Sequence, residues 1–110
     1  MSSYSAQRFR ADKFRKREHV PCRYCGRLLT RSQATVDHKT PRSRGGSNQP
    51  QNFTIACFDC NNLKGSMTFE EFKAWPGLTL AQRLHLGVDA TTWEEHAARL
   101  VAHANRRRPA

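Results

Sequence analysis

The sequence predicts a small α+β domain, ordered strand, loop, strand, helix, with a helical extension behind it and four cysteines pinning it together. Three observations lead there. Two cysteine pairs of the same spacing, Cys22-x2-Cys25 and Cys57-x2-Cys60, can surround one metal ion, because a tight x2 turn aims both sulfurs of a pair at one point. Phe53, Ile55 and Cys57 alternate with Asn52, Thr54 and Ala56, the period of a strand with one buried face. Thr68 with Glu71, Thr79 with Gln82, and Thr91 with Glu94 (or Thr92 with Glu95) have the spacing of a capping box, the local signal that opens a helix.

Bulk properties narrow the class. A chain of 110 residues with 37% hydrophobic content suits one domain with a modest core. Aliphatic side chains are scarce between Arg31 and Pro50, so a bound metal would stand in for missing core and contribute directly to folding. The 19 Lys and Arg against 9 acidic residues give a net charge of +10, which makes a polyanion, nucleic acid first, the expected partner. A membrane is not expected: the basic segments lack the Leu and Ile of an apolar face, and no apolar run reaches the roughly 18 residues of a span. The basic start has no apolar signal core, so the expected setting is the cytoplasm, with reduced thiols rather than two disulfides.

Along the chain, residues 1–19 read as a basic arm carrying Arg8, Arg10, Lys13, Arg15, Lys16 and Arg17. Residues 20–67 form the stapled core, and residues 68–110 the helical extension with a basic end. Within the core, residues 21–26 make the first cysteine knuckle, with Gly26 supplying a positive φ. Residues 28–30 and 34–37 are two short strands joined around Arg31, Ser32 and Gln33. Residues 39–51, rich in Pro, Arg, Ser, Gly, Asn and Gln, are a loop. A second strand-like run from Phe53 leads into a short helix over 58–64 that Gly65 ends as an αL residue. Phe69, Phe72 and Trp75 give the next helix its apolar positions before Pro76 and Gly77 stop it, and a Leu-rich helix then runs from Thr79 to Gly87. In a last helix Trp93, Ala97, Leu100, Val101 and Ala104 share one packing face, with Arg106, Arg107 and Arg108 at its end.

The residues suited to chemistry lie between the cysteine pairs: Asp37-His38, Pro41, Ser43, Gly45-Gly46, Asn52, then Asn61 and Lys64 directly after Cys60. Singly, Asp37 is an ordinary turn acid, His38 a surface histidine, and Asn61 a helix cap. In this order and spacing they resemble the HNH endonuclease family over residues 20 to 72. The resemblance implies a ββα-metal finger and places the three name positions of the family on His38, Asn52 and Asn61. It further implies a structural Zn2+ on Cys22, Cys25, Cys57 and Cys60, and a DNA endonuclease leaving a 5′-phosphate and a 3′-hydroxyl.

The implied roles are chemically sensible. Asp37 and Asn61 offer hard oxygen ligands for a catalytic Mg2+ or Mn2+. His38 is the general base, and Asn52 holds the loop and His38 in register. Asp37 and His38, as neighbours on a strand, can share one site only where that strand ends. Two departures stand out: Lys39-Thr40 where relatives more often have aliphatic residues, and Asn61 where many have a second His, which implies looser metal binding. Arg42, Arg44 and Lys64 are candidate contacts to flanking phosphates. His19, His85, His96 and His103 have no partner at ligand spacing and are assigned no metal. The competing reading is a non-catalytic zinc-ribbon nucleic-acid binder; iron on the four thiolates is a further variant. A cut through both strands would require a homodimer or two visits, and the helices after Thr68 are candidates for a dimer face or a DNA-binding extension.

Overall fold

The computed structural model describes residues 4–88. The last helix expected from the sequence, with Trp93, His96, His103 and the Arg106 to Arg108 run, lies outside the described residues. The observed elements are α1 (Ala6–Lys13), β1 (Val20–Pro21), β2 (Leu28–Leu29), β3 (Ala34–His38), β4 (Phe53–Cys57), α2 (Phe58–Lys64), α3 (Phe69–Lys73) and α4 (Leu80–Leu86). Two 3-10 turns, Arg42–Arg44 and Pro50–Asn52, sit in the loop between β3 and β4.

The fold is α+β, and its centre is a ββα unit. β3 and β4 pair antiparallel from Ala34↔Cys57 to His38↔Phe53, and α2 begins at the residue after β4. Because β4 leads straight into α2, Cys57 caps that helix, its sulfur accepting from the Cys60 N–H. The second sheet is the β1 and β2 pair, with Val20 opposite Leu29 and Pro21 opposite Leu28. This differs from two strands joined around residues 31–33. The turn is there, with Gln33 N–H donating to Thr30 O, but the strand before it pairs backward with β1 and the strand after it pairs forward with β4. The reason is local: the β1 and β2 ladder closes the first knuckle, where Cys22 N–H also donates to Arg27 O.

β4 departs from its expected single buried face, since all five of its residues are covered. One cover comes from α1, whose Phe9 meets Phe53 edge-on at 5.5 Å. The first knuckle reaches the strand as well, through Arg23 N–H donating to Ile55 O at 2.8 Å. Residues 4–19 therefore do more than carry charge. Ser5 caps α1 through the Arg8 N–H, and Phe9 and Phe14 are buried in the core, leaving the basic residues between them at the surface or half-buried. Three aromatics anchor this segment, Phe9 and Phe14 buried and Tyr4 half-buried and stacked on Phe53 at 6.1 Å, too few among its charges for composition alone to read it as more than an arm.

Behind the finger, α3 and α4 both open with complete capping boxes, Thr68 with Glu71 and Thr79 with Gln82. Phe72 of α3 is fully buried and packs edge-on against Tyr24 of the first knuckle at 5.1 Å, contributing about 1.5–3 kcal/mol by its burial. α2 ends at Gly65 with φ 53° and ψ −124°, so the positive φ is present but the conformation is not αL. No helix among the described residues is long and apolar enough to cross a membrane.

Candidate metal knot and active site

The two cysteine pairs meet although the elements bearing them lie far apart in sequence. Cys22 and Cys25 lie on the β1 and β2 knuckle, Cys57 and Cys60 at the junction of β4 and α2, and their four Sγ atoms all lie within 4.8 Å of one another. All four are free thiols, and three are buried. A Zn2+ tetrahedron with bonds of about 2.3 Å has S···S edges of about 3.8 Å, so the set needs only a small contraction to close on one ion. Four soft donors in this arrangement can hold a metal ion and are consistent with zinc. Backbone donors already point at two of the sulfurs: Tyr24 N–H at Cys22 and Cys60 N–H at Cys57, both at 3.4 Å. Without metal, burial holds the Cys60 thiol well above its ordinary value, with the neighbouring Cys57 and Cys22 adding to the shift and Gln82 opposing it.

Next to this knot, β3 ends at His38, the strand termination that lets neighbouring residues share a site. Asp37, His38 and Asn61 line one shallow, open cavity of about 280 Å³, together with Val36, Pro41, Arg42 and Gly65. The geometry around each differs. His38 Nε2 lies 2.9 Å from Asn48 Oδ1, and its ring packs edge-on against Phe53 at 4.8 Å. An amide oxygen only accepts, so Nε2 is the donor in this contact, and in the neutral ring Nδ1 is the nitrogen left to accept. Asn61 donates through Nδ2 to Thr35 Oγ1 at 2.9 Å, leaving Oδ1 as its acceptor.

Asp37 is only 5% exposed and is held from two sides. The Tyr24 hydroxyl donates to Oδ2, and Lys64 Nζ lies 3.3 Å from Oδ1 and 3.2 Å from Oδ2. Lys64 also donates to the His38 carbonyl at 2.8 Å. Burial, followed by the charge of Asp37, keeps the Tyr24 phenol strongly raised, so it remains a donor. A carboxylate has about four lone-pair positions. Tyr24 and Lys64 leave it capacity, while the Lys64 charge competes with any cation for the same oxygens. In kind, the oxygens of Asp37 and Asn61 fit Mg2+ or Mn2+.

Asn52 is turned to the loop rather than to the His38 ring. Its side chain accepts from Thr40 N–H at 2.9 Å and donates to Thr40 O at 3.0 Å and Ser47 O at 2.8 Å, while its own carbonyl takes Lys39 N–H at 2.7 Å. Gly46 completes the clamp, because a Cβ there would lie 1.7 Å from Thr40 O. Of the expected phosphate contacts, Arg42 borders the cavity. Arg44 is surface-exposed and pairs with Glu71 of α3, whereas Lys64 is 1% exposed and so is no open surface cation.

Tyr24, Asn48 and the Lys64 contact with Asp37 are partners that sequence reasoning did not single out. Tyr24 sits inside a knuckle whose cysteines attract all the notice, and Asn48 is indistinguishable from turn composition. The comparisons agree with the geometry. The HNH endonuclease family model matches residues 22–67. The chain is also 37% identical over 65 residues to the CRISPR-associated endonuclease Cas9 of Corynebacterium diphtheriae. That match takes in 54% of this chain and 6% of the relative, so the chain spans only a small part of that protein. The ββα unit and the clustered cysteines thus coincide with the segment, residues 22–67, that matches the HNH endonuclease family.

Proposed function

We propose that this chain is a divalent-metal-dependent DNA endonuclease that hydrolyses phosphodiester bonds. His38 is its general base, Asp37 and Asn61 hold the catalytic Mg2+ or Mn2+, and Cys22, Cys25, Cys57 and Cys60 hold a structural Zn2+. The observation that carries the reading is the convergence of Asp37, His38 and Asn61 on one open cavity beside the cysteine cluster. The net charge of +10 suits a polyanionic substrate.

When bound, the divalent ion supplies positive charge at the scissile phosphate and the departing oxygen. The side chains do the rest. His38 Nδ1 takes the proton of the attacking water, and Asn48 keeps the ring in the tautomer that leaves Nδ1 available. Asn52 and Gly46 fix the loop that carries Asn48 and Arg42, and Arg42 steadies the phosphate at the cavity edge. Tyr24 and Lys64, neither of which lines the cavity, orient Asp37.

One observation favours the alternative, a non-catalytic zinc-ribbon binder: Asp37 already has a buried cationic partner in Lys64. Incubation with supercoiled plasmid separates the readings. The endonuclease nicks or linearises plasmid with Mg2+ or Mn2+ and leaves ends that a ligase reseals, as 5′-phosphate and 3′-hydroxyl ends require. A binder retards DNA in a salt-dependent way and cuts none; that outcome rules out the enzymatic reading.

A further inference from the structure

α4 lies beyond the segment that matches the family, yet it reaches the cysteine cluster. Gln82, in its first turn, is 1% exposed. Its Oε1 accepts from Thr79 N–H at 2.7 Å, and its own N–H donates to Thr79 Oγ1 at 3.2 Å. With the oxygen committed to Thr79, the amide can present only Nε2 to the other side, and Nε2 lies 3.2 Å from Cys60 Sγ.

Capping does not require this burial. Glu71 performs the same task for α3 with its side chain 48% exposed. What burial adds at Gln82 is the sulfur contact. Four thiolates on one dication leave a net charge of about −2, and N–H donors to sulfur spread that charge. The backbone supplies such donors to Cys22 and Cys57, and among the described residues Gln82 is the side chain that supplies one to Cys60. The helix also touches the other knuckle, since a Cβ on Gly26 would lie 2.6 Å from His85 Nδ1.

Resting on the reading that the four cysteines hold a metal, we propose that Gln82 is a positioning residue of that centre. Its amide donates to the Cys60 thiolate, which makes α4 a working part of the metal knot rather than an appended helix. A Gln82→Glu variant keeps an oxygen for the capping box, since Glu serves there as well as Gln, but sets an acceptor and a negative charge against the sulfur. A Gln82→Met variant removes the donor without adding charge. Thr79→Ala weakens the cap and leaves the amide facing Cys60.

The test uses the full chain, with zinc transfer to a chromogenic chelator and the thiolate-to-metal charge-transfer band of the Co2+-loaded protein as readouts, and circular dichroism to follow folding. Gln82→Glu and Gln82→Met are expected to hold zinc about 10- to 100-fold more weakly and to shift the cobalt band. Thr79→Ala is expected to melt earlier with zinc affinity and cobalt band unchanged. Equal zinc affinity in parent and both Gln82 variants overturns the proposal. So does a Thr79→Ala variant that loses zinc as readily as they do, because helix stability alone then explains the effect. A parent that binds neither Zn2+ nor Co2+ overturns the metal-knot reading itself, and the Gln82 role with it.

Discussion

The finger contains two groups of candidate ligands built in opposite ways. The cysteine knot is closed: four sulfurs face inward, and backbone and Gln82 donors occupy the space around them. The Asp37, His38 and Asn61 group is open, set where β3 runs out and bordered by an exposed loop. A closed shell suits a metal that holds the fold, and an open one suits a metal that must admit substrate. The difference teaches that damage to the first should cost folding, whereas damage to the second should cost chemistry.

The largest effect should follow from opening the knot. Cys57→Ser is expected to abolish the cooperative thermal transition, because metal binding of about 10–16 kcal/mol is then lost as folding free energy. A Cys57→Ser protein melting like its parent would break the contrast at its strongest point. At the open site, His38→Ala should reduce plasmid cleavage by about 100- to 10,000-fold with zinc content unchanged.

Lys64 sharpens the comparison because it bridges the two behaviours. Truncation to Ala leaves Asp37 buried without its partner and should cost about 3–5 kcal/mol in chemical denaturation. Pairing Lys64→Met with Asp37→Asn should restore most of that stability while cleavage stays absent. Failure of the double variant to recover would mean that the pair is needed for the fold itself. Gly46→Ala is expected to lose about 1–3 kcal/mol, because its methyl group must displace Thr40 O, and to slow cleavage without releasing zinc. The smallest effect belongs to Thr68→Ala, about 1 kcal/mol from loss of the α3 cap, with cleavage and zinc both near parental levels.

What the sequence made legible follows this same division. Ligand-bearing turns and helix caps are short-range signals, so the cysteine pairs, both capping boxes and the end of β3 beside Asp37 were readable from spacing. Long-range pairings were not. Nothing local tells β2 to choose β1 over β3, because that choice is made by the knuckle it closes. Burial of Phe9 is decided by its packing on Phe53 of β4, a partner invisible in a segment dominated by Arg and Lys. The same limit hid the partners of the site. Tyr24 and Lys64 reach Asp37 from 13 and 27 residues away, and Gln82 reaches Cys60 from 22 residues away. Lysine in a basic chain reads as a phosphate contact until its burial is known.

The most direct trial of the account is a side-by-side incubation of zinc-loaded parent and zinc-loaded His38→Ala with supercoiled plasmid and Mn2+. The account predicts that the parent converts plasmid to nicked or linear forms and that the variant, equally folded and equally rich in zinc, leaves it supercoiled at least about 100 times longer. Equal conversion by both proteins, or none by either, would contradict it.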